Sequence, residues 1–390
     1  MKQKSNVLTK FFVKILGNEK RQNITIPIFA IVLSLLVGAV VIAILGKNPF
    51  SAYLNLLQGS GIAPKAKYAG GKSILTDFLS FMDYWTPMIF AALAVAVALR
   101  AGLFNIGVSG QMLTAGFIAS ITVGYSAMAA PIAKPLVVAI ALVSGALVGG
   151  LIGWLKYQFN INEVVSSIML NYIAEYIIAF FIYTNFIDPV SRQSLNISDA
   201  ARLTLKDVQI GSLKCDIPLG IILALIVTFV IRFVFHKTTF GYELKAIGSN
   251  KKAAQYAGIN VGKNTILAMM ISGGLAGVAG ATYYLGYFAS IQPKVLTSIG
   301  FDAIAVSLLG NSNPTGILAS SFLINVISKG STYMSSKAGL DAEIASVITG
   351  LILLFSACGA FIQYKVKRGK DKLAELEKTE LEKQSVKEEA

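Results

Sequence analysis

The chain of 390 residues contains few of the side chains that bind metals or form disulfides. It has one histidine, His236, and two cysteines, Cys215 and Cys358, in different surroundings. This composition excludes most familiar zinc, haem and iron–sulfur ligand sets and gives no indication of a disulfide framework. We interpret His236 as a surface residue at a helix end, and we expect this chain to bind no metal and no cofactor.

Charged side chains are also scarce. Asp, Glu, Lys and Arg make up 14% of the residues, whereas a soluble domain carries about 25%. The mean hydropathy is +0.66, so the composition indicates a membrane protein. Lys and Arg outnumber Asp and Glu by 34 to 20. Long apolar runs separate these charges, and we therefore expect no nucleic-acid-binding surface.

Apolar runs account for most of the chain. A helix needs roughly 20 apolar residues to cross a bilayer, and a helix satisfies its own backbone hydrogen bonds in lipid. We therefore predict an all-α polytopic membrane protein with about ten transmembrane helices. The clear segments run from Ile26 to Leu45, Thr86 to Leu99, Ile106 to Met128, Pro135 to Leu155, Val164 to Tyr183, Leu219 to Phe235, Thr265 to Phe288 and Ile344 to Tyr364. Two shorter pieces between Ser298 and Ser328, broken at Gly310 to Pro314, either cross the bilayer twice or form a re-entrant hairpin.

Basic residues in the short connections indicate the orientation of the chain. They place both termini in the cytoplasm and divide the chain into a cytoplasmic N-terminus (1–25), a transmembrane domain (26–367) and a charged cytoplasmic tail (368–390). Residues 237–263 fall on the cytoplasmic side, and the stretches Gly46 to Trp85 and Thr184 to Pro218 fall outside. No small-residue cleavage site follows the polar N-terminus, so we expect the first apolar run to be a retained anchor.

Small residues at four-residue spacing predict close helix packing. One ridge consists of Gly145, Gly149 and Gly153, and another of Gly273, Gly277 and Ala281. The blocks Tyr84 to Tyr183 and Lys263 to Tyr364 each hold four predicted crossings and start on opposite sides of the membrane. Such a pair predicts an inverted repeat, as in many transporters.

The tripeptide Gly71-Lys72-Ser73 ends like a phosphate-binding loop. The position five before Gly71 is Ala66, however, and no strand precedes it, so we interpret the tripeptide as an ordinary loop. If ATP drives this protein, the ATPase is therefore another chain.

Polar residues within apolar segments are costly in lipid and usually face a bundle interior or a cavity. Asn105, Ser109 and Gln111 lie at a glycine-rich break, where they either line a path or form a tight turn with Asn105 as a helix cap. Glu163, Ser167 and Asn171 share one face of the following span. That row either lines a polar path or bonds to a neighbouring helix. The same two alternatives, lining a polar path or bonding to a neighbouring helix, stay open for Asp302 and Asn311. The candidate path residues are Asn105, Ser109, Gln111, Glu163, Ser167 and Asn171.

The cytoplasmic segment 237–263 contains more than a connection requires. Its glycines bracket a piece able to form a helix from Asn250 to Ala257, with Asn250 as the N-cap. Small side chains on this piece would let it dock in a partner's groove. The alternative is a solvated basic loop, which accounts for the lysines only. The candidate docking residues are Gly241, Gly248, Asn250, Ala253, Ala254, Tyr256, Ala257 and Gly258.

The same segments resemble a known protein family. Four strings, in this order and at these intervals, closely resemble the permease subunits of bacterial ABC importers of the ribose and branched-chain amino acid type, and among them the nucleoside importer permeases most closely. The strings are RAGLFNIGVSGQMLTAGF, NEVVSSIMLNYIA, FGYELKAIGSNKKAAQYAGI and SGGLAGVAGA. The resemblance extends from about Ile26 to Lys367. It departs from the nucleoside-type pattern at Val108-Ser109, where those relatives often have a small residue followed by Glu.

The resemblance implies a type II-like ABC importer permease fold in the bacterial plasma membrane, translocating nucleosides. It implies a second permease subunit, commonly in a heterodimer in which this chain is the longer one. It also implies a cytoplasmic ATPase that uses ATP and Mg, and an extracellular solute-binding lipoprotein. The segment 237–263 would be the region that couples to the ATPase, and the chain itself would not be an enzyme.

Three alternatives stay open at this point. The same architecture could import a simple sugar or a branched-chain amino acid, because the family's selectivity resides largely in the binding protein. A secondary transporter also suits the composition and the broken segments, but it would need a titratable or sodium-binding core. A channel or structural subunit is a weaker alternative because it gives no reason for the docking segment.

Overall fold

The computed structural model describes residues 22–68, 70–211, 213–341, 343–358, 361–362 and 364–373. Helices dominate these residues, which confirms the predicted helical membrane-protein class. The predictions for the cytoplasmic N-terminus up to residue 21 and for the charged tail beyond residue 373 lie outside the described residues.

The described part of the chain contains helices along most of its length. They are α1 (Gln22–Ile44), α2 (Pro49–Gly59), α3 (Ile74–Arg100), α4 (Val108–Ala119), α5 (Ala130–Phe159), α6 (Glu163–Phe181), α7 (Leu219–Lys237), α8 (Thr239–Ser249), α9 (Lys251–Tyr256), α10 (Val261–Thr282), α11 (Ile299–Leu309), α12 (Pro314–Ala338) and α13 (Glu343–Ala357). Turns of π-helix extend α4, α6 and α10 over Ser120–Gly124, Ile182–Phe186 and Tyr283–Phe288. Strands β1 (Thr204–Ile210) and β2 (Leu213–Pro218) lie between α6 and α7.

The chain forms two compact units. The first contains the described residues among 1–50 and 343–390, with α1 and α13, which pack against each other. Ile26 and Phe29 form a small apolar cluster there with Ile362 and Val366. The second unit, residues 51–342, contains the elements from α2 to α12 and all of the candidate site.

Six helices of the described part are long and apolar enough to cross a membrane. They lie at Thr25–Ile44, Ile74–Arg100, Ala130–Phe159, Glu163–Phe186, Leu219–Lys237 and Val261–Phe288, and each overlaps a predicted segment. Two shorter apolar helices, Val108–Gly124 and Ile299–Leu309, coincide with two more predicted segments. The total of ten crossings stays a prediction.

Helix α3 begins earlier than the hydropathy indicated, because a capping motif starts it at Ile74 rather than near Thr86. Ser73 Oγ accepts a hydrogen bond from Leu75 N at 3.2 Å, and Thr76 Oγ1 accepts one from Ser73 N at 3.0 Å. This reciprocal arrangement satisfies free backbone groups at the helix start. Ser73 of the apparent phosphate-binding loop therefore caps a helix.

The break at Gly310 to Pro314 is confirmed. Asn311 and Ser312 both adopt left-handed backbone conformations, with φ of +54° and +49°. Asn313 then caps α12, and Pro314 occupies the first turn of that helix, where a proline costs no hydrogen bond.

The two glycine ridges pack against each other. The spacing predicted close helix packing at each ridge, and the structure identifies each ridge as the partner of the other. A Cβ added to Gly149 would lie 2.8 Å from Gly273 Cα, and one added to Gly145 would lie 2.7 Å from Gly277 Cα. The backbones of α5 and α10 therefore touch along this line, which any larger side chain would prevent.

The packing supports the predicted inverted repeat. Helix α10 packs against α4 and α5, while α3 packs against α11 and α12. The first helix of each block thus lies against the second and third helices of the other block. In agreement with this packing, 78% of the most apolar 18-residue stretch is buried in α3 and in α10, whereas the corresponding share is 28–39% in the other candidate spans.

A β-hairpin was not predicted. Strands β1 and β2 pair antiparallel, with Val208 opposite Cys215 and an irregularity between Leu205 and Val208. Gly211, with a φ of +63°, lies in the connection. The dipeptide Gly211-Ser212 between two strand-like runs is a hairpin signal that could have indicated it.

Candidate substrate path and coupling surface

The segment between α3 and α4 is held by the side chain of Asn105. Its Nδ2 donates to Gln111 Oε1 at 3.0 Å and to Ser272 Oγ at 2.8 Å, and its Oδ1 accepts from Gly107 N at 2.9 Å. All three polar side chains are fully buried. Irregular backbone within a membrane protein must be satisfied by protein or water, and here Asn105 satisfies part of it.

Asn171 on α6 fixes the same break from the other side. Its Oδ1 accepts from Gly110 N at 2.9 Å, and its Nδ2 donates to the Ile106 carbonyl at 3.1 Å. A Cβ on Gly110 would lie 2.7 Å from Asn171 Cα, so the close approach of α4 to α6 needs the glycine. Asn171 thus bonds a neighbouring segment.

The N-terminal ends of α4 and α11 meet inside the protein. Ser109 Oγ donates to the Thr297 carbonyl at 2.9 Å, and a Cβ on Gly300 would lie 2.6 Å from Ser109 N. The two short helices come from corresponding positions in the two blocks. Their positive dipole ends are therefore brought together.

Glu163 contacts the same break from the start of α6, because its carboxylate accepts a hydrogen bond from the backbone of Phe104. Its carboxylate pairs with Lys156 Nζ at 2.8 Å, and Ser167 Oγ donates to the Glu163 carbonyl at 2.5 Å. The side chains of Asn105, Ser109, Gln111 and Asn171 are buried and bonded to protein groups of the break and its neighbours. Ser167 is buried too, but it and Glu163 bond to Lys156, to Phe104 and to each other. A path role stays a prediction for all six.

The predicted cytoplasmic helix is present as α9. Asn250 caps it, with Oδ1 accepting from Ala253 N at 3.1 Å. Ala253 and Ala257 are exposed, and the Tyr256 side chain is 93% exposed. These three residues, which we call the α9 surface, are free of contacts that would hide them from a partner.

Ala254 does not belong to the α9 surface. It is 3% exposed and packs with Ile247 and Val261 in a small apolar cluster. The prediction that Ala254 presents a docking side chain is therefore wrong for this structure, because Ala254 faces the body of the protein. Gly241 is likewise buried, against the backbone of Val234 and Phe235.

Helix α8 connects the α9 surface to the break after α3. Leu244 is fully buried in a cluster with Ala98, Ala101 and Leu103. A Cβ on Gly248 would lie 3.0 Å from Gly102 N and would overlap the Arg100 carbonyl oxygen. A displacement of α8 would therefore act directly on the segment that Asn105 holds.

A cavity beside Tyr84, in the N-terminal half of α3, was not predicted. Its volume is about 510 Å³, and its lining includes Tyr84, Tyr287, Lys329 and Tyr333. Sixteen residues of helix separate Tyr84 from Arg100, which corresponds to about 24 Å. Lys329 is the first charged residue after Asp302 along the chain. This isolated lysine at the end of an apolar run is the signal that could have indicated the cavity.

Known proteins match this chain over most of its length. Residues 78–357 match the family described as "Branched-chain amino acid transport system / permease component". The chain is 34% identical over 361 residues to the nucleoside ABC transporter permease protein NupB of Lactococcus lactis subsp. cremoris, covering 90% of this chain and 96% of NupB.

Two further relatives cover a similar share. The guanosine ABC transporter permease protein NupP of Bacillus subtilis is 34% identical over 357 residues, covering 91% of this chain and 99% of NupP. The glucose ABC transporter permease protein TsgB13 of Haloferax volcanii is 27% identical over 361 residues, covering 88% of this chain and 91% of TsgB13. The family match over residues 78–357 includes the break after α3, the α8–α9 segment and the cavity residues Tyr84, Tyr287 and Lys329.

Proposed function

Because this chain belongs to the family of permease components of branched-chain amino acid transport systems and is a multi-pass membrane protein, we propose that it is the permease subunit of an ATP-driven importer of nucleosides. The observation that carries the substrate class is the 34% identity to a nucleoside permease and to a guanosine permease over about nine tenths of the chain. The weaker match to a glucose permease keeps a simple sugar as the second candidate.

The complete importer, in this proposal, has four kinds of component. This chain pairs with a second permease subunit in the bacterial plasma membrane, and a solute-binding lipoprotein delivers nucleoside from outside. A cytoplasmic ATPase hydrolyses ATP with Mg, while this chain binds no cofactor and has no ATPase site of its own. Both termini and the α8–α9 segment lie in the cytoplasm.

The coupling step follows from the contacts of α8 and α9. The ATPase docks on the α9 surface, where Tyr256 extends away from the protein. When ATP closes the ATPase dimer, α9 moves and carries α8 with it. Helix α8 lies against the end of α3 at Gly102 and Leu103, so the motion reaches the break held by Asn105. The helices around the path then change between outward and inward access.

The experiment that tests this function is uptake of labelled nucleoside into proteoliposomes containing the complete importer. We expect labelled uridine to enter only with ATP and the binding protein present, and labelled ribose, glucose and leucine to stay outside. Uptake of glucose instead of uridine would show that the substrate is a sugar. Uridine uptake driven by a proton or sodium gradient without ATP would identify a secondary transporter.

A further inference from the structure

The cavity beside Tyr84 combines a basic group with aromatic rings. Lys329 Nζ lies 4.7 Å from the centre of the Tyr287 ring and 5.3 Å from that of Tyr84. The two tyrosine rings meet edge to face with centroids 5.3 Å apart. Tyr333 supplies a third ring to the cavity wall. Cavities that hold small organic ligands have volumes of about 300–1,000 Å³, and this one, at about 510 Å³, falls in that range.

The ammonium group of Lys329 has hydrogen-bond donors that Tyr287 does not use. Its Nζ donates to Tyr287 Oη at 2.7 Å, and an ammonium group has further donors. Among the residues that the structure describes, no carboxylate lies within 4.0 Å of Lys329 Nζ. A half-buried lysine that is held by rings rather than by a carboxylate can donate to an oxygen of an incoming ligand.

The hydroxyl groups around the lysine fix the aromatic wall. Tyr84 Oη and Ser328 Oγ lie 2.9 Å apart and share a hydrogen bond, and Tyr287 Oη is engaged by Lys329. The rings of Tyr84 and Tyr287 are therefore oriented before any ligand arrives. Preorganised rings of this kind stack well on a flat aromatic ligand because little ordering is needed on binding.

The position of the cavity along α3 determines when an incoming solute would meet it. Its residue Tyr84 lies about 24 Å along α3 from the α8 contact at Arg100, and the cavity is next to the β-hairpin, whose Thr204 bonds Asp83. In the orientation of the proposed function this is the outer end of the bundle. A solute released by the binding protein would meet this cavity before the buried break.

We propose that this cavity receives the base of an incoming nucleoside, which stacks on one of the two rings, Tyr84 or Tyr287, and meets the other edge to face, with Lys329 as the donor to a keto oxygen of the base. The proposal rests on nucleoside import as the proposed function. A free sugar has no π face to stack and no ring carbonyl to accept from Lys329. The residues therefore suit a base with a keto group better than they suit a sugar alone.

The experiment uses the complete importer with 5-iodouridine, a keto base that crosslinks to nearby aromatic side chains under ultraviolet light. We expect label on the peptides that contain Tyr84, Tyr287 or Tyr333, and we expect excess uridine to prevent it. Specific label found only outside these peptides, in an importer that transports uridine, would overturn the cavity proposal and leave the proposed function standing. An importer that transports no nucleoside would instead overturn the proposed function.

Variants of Lys329 test its role separately. Lys329→Met should lower both the uridine transport rate and the crosslink yield about tenfold, the effect expected for loss of one charge-assisted hydrogen bond. Lys329→Arg should restore most of both, because it keeps a donor over the rings. Lys294→Met is the matched control, since Lys294 is exposed and lies outside this cavity. Transport and crosslinking of Lys329→Met at the control level would contradict the donor role.

Discussion

Asn105 and Ser272, 167 positions apart in the chain, are joined by a hydrogen bond of 2.8 Å from Asn105 Nδ2 to Ser272 Oγ. Ser272 Oγ in turn donates to the Ala94 carbonyl at 2.7 Å. The bond ties the segment after α3 to α10, which belongs to the second block. The irregular backbone at the break therefore depends on helices from both halves of the repeat.

Replacement of Asn105 should destabilise the protein. Asn105→Leu removes the partners of Ser272 and Gln111 and leaves Gly107 N unsatisfied in the interior, which costs roughly 1–3 kcal/mol of the free energy of unfolding. The measurement is thermal unfolding of the purified protein in detergent. Asn185→Ala is the control because Asn185 is exposed. A melting temperature of Asn105→Leu equal to that of the control would show that the network is unimportant for stability.

Enlargement of the glycine ridge should separate α5 from α10. A Cβ at Gly149 would overlap the Met269 carbonyl oxygen and approach Gly273 Cα to 2.8 Å, so Gly149→Ala should cost about 1–3 kcal/mol through overpacking. Gly70→Ala serves as the control because a Cβ there meets nothing within 4 Å. The amount of folded protein in the membrane and its melting temperature check this expectation. Equal values for the two variants would contradict direct backbone contact along the ridge.

Substitutions in α9 should separate docking from packing. Ala257→Asp places a charge on the exposed α9 surface, so we expect loss of ATP-driven uptake with an unchanged melting temperature. Ala254→Asp places a carboxylate in the cluster with Ile247 and Val261, so it should lower the melting temperature as well. The control is Val190→Asp, because Val190 is 91% exposed at the other end of the proposed orientation.

Two results would contradict these assignments of Ala257 and Ala254. Full uptake by Ala257→Asp would show that the α9 surface does not contact the ATPase. A melting temperature of Ala254→Asp equal to that of Ala257→Asp would show that Ala254 is accessible in solution. Pull-down of the ATPase with each variant distinguishes lost docking from lost transport activity.

The β-hairpin should loosen when its anchor on α3 is removed. Thr204 Oγ1 donates to Asp83 Oδ1 at 2.7 Å, and both side chains are buried. Thr204→Val keeps the shape of the side chain but leaves the carboxylate without this donor, at a cost of roughly 1–3 kcal/mol. Trypsin cleavage at Lys206 or Lys214 should therefore become faster. The control is Thr184→Val, at an exposed position, which trypsin should cleave at the wild-type rate. Equal cleavage rates for the two variants would show that Thr204 does not anchor the hairpin.

The sequence was sufficient to predict a structural feature wherever the residues that form it lie within one short segment. The cap at Asn250, the break at Gly310 to Pro314 and the close packing at each glycine ridge were all predicted correctly, because caps, prolines and residue spacing act within a few positions. The start of α3 was missed because hydropathy outweighed the polar capping residues Ser73 and Thr76. The inward direction of Ala254 was missed because α9, at six residues, is too short to show a helical period.

The sequence by itself determined that this protein is a helical membrane protein, which segments are apolar enough for spans, and that a capped helix begins after Asn250. Only the tertiary structure decided that Asn105 bonds Ser272, that α8 lies against the end of α3, and that Tyr84, Tyr287 and Lys329 line one cavity. The physical reason is distance along the chain. Hydropathy and capping are local properties, whereas a cavity is made by side chains from three helices whose approach depends on the packing of the whole unit.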